Sequence, residues 1–412
     1  MISSIEISGY KALNAVRVRL SPFQALVGPN ASGKSTFFDA LLLVRDILNT
    51  DLRKAVFGDT KADIALRAAD PLELSWLRKG GHLLIALEAD IPDHLRSLLR
   101  TDYAIARYEL AIDLDKLLFA AENMWLIPAR SSTAYAMQPL FSRKSSFQKG
   151  KSWRNVVRKV SDSGNDYFRS EKTKWQSLFR LGPTKSAFAN LPEDEEKFPV
   201  STWFKRLLKE GIHQLVLDAE AMRLPAPVAS SAQFLADGAN LPWVVRYLEE
   251  KAPERLKDWI EHLKLALDGL ESIETREKPE DRSLYLVLTY ANGLQAPSWL
   301  LSDGTLRLLA LTVLAYTPLQ SPLILIEEPE NGIHPRGVQA VMQSLCSVYD
   351  SQVFCTTHSP LVLSLLKSSD LLCFAKASGG AVSITRGDQH PSLKEWQAGQ
   401  HLGDLFAAGV LE

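Results

Sequence analysis

The sequence predicts an α/β protein, a mixed sheet flanked by helices with an inserted, largely helical subdomain. Three observations carry this. Apolar strand-like segments alternate with segments of helical spacing at both ends of the chain. A glycine-rich turn at 28–35 stands between an apolar strand and a helix. A second apolar strand, residues 323–326, ends in two carboxylates, Glu327 and Glu328.

Taken in order, the N-terminal lobe (1–125) begins with alternating residues Ile2, Ile5 and Ile7, then Val16, Val18 and Leu20. Residues 25–27 form a short apolar strand. Residues 36–48 follow with helical spacing (Phe37, Leu41, Val44, Leu48), and 83–87 and 106–112 read as strands. The middle (126–285) differs in composition: 142–185 holds twelve Lys/Arg against three acids, and an acidic run, 193–196, comes after it. Helices are expected at 241–248 and 256–270. In the C-terminal lobe (286–412) strand signals return at 284–290, 323–326 and 353–355. Helices carrying Leu306, Leu309, Leu311 and Leu314, and then 336–348, lie between them. Apolar strands alternating with helices indicate a parallel sheet covered on both faces.

Composition sets outer bounds. With 412 residues, 46% of them hydrophobic, and a net charge of −1, packed cores in two or three domains are expected. No apolar run approaches the roughly 20 residues of a membrane helix. The opening MISSIEISGYKAL lacks the pattern of a signal peptide, so a cytoplasmic protein is expected. Cys346, Cys355 and Cys373 have no close metal-type spacing and read as buried thiols in a reducing compartment.

The turn Gly28, Pro29, Asn30, Ala31, Ser32, Gly33, Lys34, Ser35 fits G-x-x-x-x-G-K-[ST] at each fixed position. Gly28 and Gly33 permit backbone angles that let successive N–H groups wrap a phosphate. The following helix points its positive end at the same anion. Lys34 supplies a charge to the β- and γ-phosphates, and the Ser35 hydroxyl is placed to hold Mg²⁺. Glu327, ending a buried strand, suits the Mg²⁺ shell; Glu328 faces the other way and can orient or deprotonate the attacking water. Upstream, Ser302, Asp303 and Gly304 open a leucine-rich helix whose free N–H groups would attract an anion. Taken alone, a Ser-x-Gly turn is more often a plain helix cap. Downstream, a strand ends in a polar turn that presents His358, which is either structural or a sensor of the γ-phosphate.

These four elements, in this order, resemble the ABC-type ATPase superfamily. The nearest branch holds RecF, the SMC proteins and the ATPase lobe of the overcoming-lysogenization-defect nucleases. The phrases LSDGTLRLLAL, IEEPENGIHP and TTHSP are similar to that branch, as is the ending GDLFAAGVL from Gly403. The resemblance implies that Gly28 to Thr36 form the Walker A loop, with Glu327 the Walker B acid and Glu328 the catalytic base. It makes Ser302, Asp303 and Gly304 the signature that reaches the ATP of the opposite subunit, residues 330–334 the D-loop, and His358 the switch histidine. An ATP-dependent homodimer or higher oligomer follows. The signature is SDGT where transporters have SGGQ, which argues against transport. The family's glutamine-bearing loop finds no counterpart, since the region 74–81 holds no Gln. The long paired helices of SMC proteins are missing. No acidic metal cluster follows His358 as in the nucleases, so this chain is expected to cut nothing itself. ATPases of this look are often encoded beside a separate effector, frequently a nuclease, in anti-phage systems.

The basic stretch interleaves Lys and Arg with Phe147, Trp153, Tyr167, Phe168, Trp175 and Phe179. Cations meet phosphates and aromatics stack on unpaired bases, so DNA contact through 142–185 is one expectation. A solvated surface or a protein dock is the other. Three functions fit the whole: an ATP-driven sensor that regulates an effector in anti-phage defence, a RecF-like DNA-repair ATPase, and an assembly scaffold with negligible turnover.

Overall fold

The computed structural model describes residues 1–129, 152–160, 164–228, 233–318, 322–349, 351–377, 379–394 and 402–403. The closing motif from 404 onward, and Phe147, Lys149 and Lys151 of the basic stretch, lie outside the described residues. The chain divides into two units. One holds Met1–Ser21, Gly28–Ile212 and Phe374–Thr385; the other holds Pro22–Val27, His213–Cys373 and Arg386–Glu412.

Strands are numbered in chain order. The first six are β1 (Ile2–Tyr10), β2 (Leu13–Arg19), β3 (Phe23–Val27), β4 (His82–Asp90), β5 (Tyr103–Asp113) and β6 (Leu118–Pro128). Then come β7 (Arg154–Val160), β8 (Asn165–Arg169), β9 (Gln176–Phe179), β10 (Ile212–Leu215), β11 (Leu270–Glu277) and β12 (Leu284–Tyr290). The last are β13 (Gln295–Pro297), β14 (Leu323–Glu327), β15 (Gln352–Thr356), β16 (Leu371–Lys376) and β17 (Val382–Arg386).

The first unit is built on an antiparallel eight-stranded sheet in the order β2-β1-β4-β5-β6-β7-β8-β9. Its interior is not purely apolar. Arg107, 2% exposed, donates to Glu6, Glu88 and Glu109 at 2.9, 2.7 and 2.6 Å. Trp125 Nε1 donates to the second oxygen of Glu109 at 2.9 Å. Arg107 and Glu88 are direct cross-strand partners, so β4–β5 register fixes the pair. Behind the glycine-rich turn, the helix Lys34–Asn49 buries Phe37, Leu41, Val44 and Leu48 as its spacing predicts. Its other face is tied down by charge. Asp39 accepts from Tyr10, Lys11 and Arg67, and Arg67 also reaches Asp46. Burial works against the Asp39 carboxylate, but Arg67 and Lys11 outweigh it and hold its pKa below the usual range.

Part of the middle region departs from the helical expectation. Helices do occupy Pro199–Glu210, Leu241–Lys251 and Pro253–Leu263. Residues 154–179, in contrast, hold strands β7 to β9, which continue the N-terminal sheet. The reason is local: Val156 and Val157 are fully buried, and Lys159 turns inward to a buried pair with Asp166 at 2.8 Å. The helix expected at 256–270 stops at Leu263, and β11 begins at Leu270 after Gly269 turns the chain with φ 76°.

In the second unit β3, β14 and β15 are apolar and enclosed, as parallel strands covered on both faces must be. They run side by side in the order β14-β15-β3-β16, all parallel. A small antiparallel sheet, β11-β12-β13, completes the unit. One continuous core includes Val27, Trp259, Leu309, Ile326, Val341 and Cys355. Trp259 is fully buried yet satisfied, donating to Thr312 at 2.9 Å. Cys355 and Cys373 are buried as expected; Cys346 is exposed, at the end of the helix Pro335–Cys346. No helix among the described residues is long and apolar enough to cross a membrane.

Candidate nucleotide-binding site

The turn at 28–35 has the backbone of an anion cradle. Gly28 and Gly33 take φ 143° and 98°, and Ala31 takes φ 57°. Gly28 has a second reason to be glycine: a Cβ there would sit 2.2 Å from the Phe374 carbonyl oxygen. Lys34 is 7% exposed, and its ammonium donates to the carbonyls of Gly28 and Pro29 at 2.9 and 3.0 Å. The cation therefore lies across the mouth of its own loop. Ser32 Oγ is buried with no hydrogen-bond partner among the described residues. Ser35 and Asn30 are exposed. A loop with left-handed positions, an inward cation and an orphaned hydroxyl fits a polyphosphate with its metal.

The second unit aligns the remaining strand ends. Glu327 pairs in register with Thr356, and Thr356 with Leu26. The chain passes from Val27 directly into Gly28. Glu327 is exposed there. Glu328 is held in the left-handed region at φ 48°, an uncommon place for a residue with a Cβ. Its N–H donates to Thr356 O at 3.0 Å, and its carboxylate accepts from Asn331. Glu330 accepts from the Thr357 hydroxyl at 2.5 Å, while its other oxygen is buried without a partner among the described residues. Thr357 in turn accepts from the Ser359 N–H at 3.0 Å, which fixes the turn bearing half-buried His358.

The turn of Ser302, Asp303 and Gly304 opens the helix Asp303–Thr312. Ser302 caps it, accepting from Thr305 N at 3.2 Å. Gly304 is packed against the loop after β14: a Cβ there would lie 2.4 Å from Gly332 O. Asp303 pairs with Arg223, a residue that nothing in the sequence pattern singles out. Thr357 and Glu330 lie inside motifs already noted, but their contact crosses 27 positions and no spacing rule announces it.

Comparison with known families matches residues 23–364 to the family described as "AAA domain, putative AbiEii toxin, Type IV TA system". The chain belongs to this AAA family. Its fold is that of an ABC-type ATPase head. Among solved structures it is similar to an SMC head bound to the C-winged helix domain of ScpA. The identity is 16%, the match covers 93% of this chain and 97% of that one, and the TM-score is 0.52. An SMC head with an extended coiled coil, bound to the C-terminal domain of ScpA and derived from Pyrococcus furiosus, gives 15%, 93% and 95%, and 0.49. No curated protein matches. At 16% identity the first likeness speaks to the fold alone, a P-loop ABC-type head.

The basic stretch holds less free charge than its composition suggests. Arg154 donates to the carbonyls of Ser170 and Thr173, and Lys159 is buried against Asp166. Trp153 and Phe168 are core residues, 7% and 2% exposed. Among the described residues Arg158, Lys174, Arg180 and Lys185 remain exposed, with Trp175 and Phe179 beside them in the chain.

Proposed function

We propose that this ATPase binds MgATP at residues 28–36 and hydrolyses it at a composite site that a second copy completes. The reading is supported above all by the register Glu327–Thr356–Leu26, which puts a carboxylate at the same sheet edge as the strand that feeds the cradle. Backbone N–H groups from Asn30 to Thr36 would hold the phosphates, and Lys34 would leave its two carbonyls for them. Ser35 and Glu327 would hold magnesium, which neutralises charge on the phosphates when bound. Glu328 would orient and deprotonate water, with His358 sensing the terminal phosphate. Ser302, Asp303 and Gly304 would face the ATP of the other copy.

The cycle would regulate a separate cytoplasmic effector, in keeping with the toxin–antitoxin wording of the family and with an SMC head seen bound to ScpA. Anti-phage defence is the setting this favours. DNA contact would run through the exposed cations of 142–185. The decisive variant is Glu328→Gln, measured for steady-state turnover and for ATP-dependent dimerisation by sedimentation. Turnover should fall about 100-fold or more while ATP still binds and the dimer persists. Equal turnover in wild type and variant would sink the assignment.

A further inference from the structure

Asp303 occupies the first position of the helix Asp303–Thr312 and is largely exposed. A carboxylate suits the positive end of a helix. It is also a like charge at the place where, in the proposed ATP sandwich, a triphosphate must arrive. One side chain answers both facts. Arg223, at the end of the helix Ala219–Arg223, pairs with the Asp303 carboxylate through Nη2. Its Nε and Nη2 also donate to Leu301 O, each at 3.3 Å, and Nη1 donates to Glu220 at 2.6 Å. The grip is returned from the backbone, since Ser298 Oγ donates to Arg223 O at 3.2 Å. A single residue thus fastens the chain from 298 to 303, both sides of the turn that starts at Ser302.

We infer that Arg223 is a positioning residue for the signature turn: it cancels the charge of Asp303 and fixes the turn so that the helix N–H groups can receive a phosphate of ATP held by the opposite copy. The inference rests on the proposed ATP sandwich and deepens it. Two features of Arg223 are needed together. Its charge offsets Asp303, and its planar fork reaches a carboxylate and a carbonyl at once, which a lysine ammonium does not reproduce. The arrangement makes a specific demand on mutants. Removing Arg223 leaves Asp303 uncompensated, so neutralising Asp303 in the same chain must restore part of the activity.

The experiment uses the full chain, with turnover and binding of a fluorescent ATP analogue measured for wild type, Arg223→Ala, Arg223→Lys, Asp303→Asn and the double variant Arg223→Ala/Asp303→Asn. Arg223→Ala should lower kcat about 10- to 100-fold with analogue affinity within about twofold of wild type. Arg223→Lys should fall between. The double variant should turn over faster than Arg223→Ala alone, a reversal of sign that loss of packing does not produce. Should Arg223→Ala not fold, as judged by its melting curve, Arg223→Gln replaces it in the same comparison. A double variant no faster than the single one, or an Arg223→Ala enzyme at wild-type rate, overturns the inference and leaves the ATPase reading standing. A wild type that neither binds the analogue nor hydrolyses ATP overturns the ATPase reading and the inference with it.

Discussion

In the loop at 28–35 a single cation, Lys34, donates to two carbonyls of the loop itself, and backbone groups with the Ser32 hydroxyl make up the rest of the cradle. In the stretch 142–185 there are twelve cations, yet Arg154 and Lys159 are consumed by the sheet. The difference teaches where charge carries functional information. In the loop, residue types are dictated at fixed spacing by φ angles that few residues adopt, so the sequence pattern maps onto a shape. In the basic stretch the signal is an amount of charge, and amount does not say which way a side chain points. A strand sends alternate residues to opposite faces, so half of a basic run can end in the interior if acids meet it there.

The comparison can be broken most forcefully at Lys159. Its replacement by Met leaves Asp166 buried without its cation, and should cost about 3–5 kcal/mol in chemical unfolding. If Lys159→Met is as stable as wild type and instead weakens DNA binding, Lys159 belongs to the surface and the contrast between loop and basic stretch fails. Next in size is Gly28→Ala. Positive φ and the 2.2 Å approach to Phe374 O should distort the cradle by about 3 kcal/mol, read as roughly 100-fold weaker ATP binding. Near-normal ATP affinity would mean that the loop geometry is not what selects the ligand.

How much was legible follows the same division. The loop, the strand 323–326, the strand 284–290 and the helices after each motif are where the spacing places them, because apolar periodicity is undisturbed there. The sheet of the first unit was half hidden. β1, β2, β4 and β5 show through their apolar alternation even with Glu6, Glu88, Arg107 and Glu109 enclosed on them, whereas in β6 the enclosed Glu122 and Asn123 interrupt the apolar run. Lys159 and Asp166 do the same to β7 and β8. The site itself was legible residue by residue only where a motif fixes it. Arg223 was invisible because its link to Asp303 spans 80 positions and depends on tertiary contact alone.

A smaller effect sharpens the loop side of the comparison. Asp39 anchors the helix behind the cradle through Lys11 and Arg67. Its folded pKa is depressed, so its contribution is complete above the unfolded value of 3.8 and vanishes as pH falls through the lower folded value. Asp39→Asn should therefore be about 2 kcal/mol less stable at pH 7, with the gap to wild type closing below about pH 4 in melts taken across that range. A gap that is unchanged at pH 3 would show that the pair does not act through charge.

The smallest expected effect tests the other side. If the exposed cations of the basic stretch meet DNA phosphates, reversing Arg158 and Lys174 to Glu should flatten the dependence of affinity on salt, by about one unit of slope for each cation reversed. Reversing Arg154 should behave differently, lowering stability because its guanidinium bonds Ser170 O and Thr173 O, and leaving the slope of whatever folded protein remains unchanged. Equal slopes for all three variants and wild type would remove nucleic acid from the role of this stretch. An equal flattening for Arg154 and Arg158 would instead mean that the carbonyl bonds of Arg154 open to release it, and that composition had been the better guide after all.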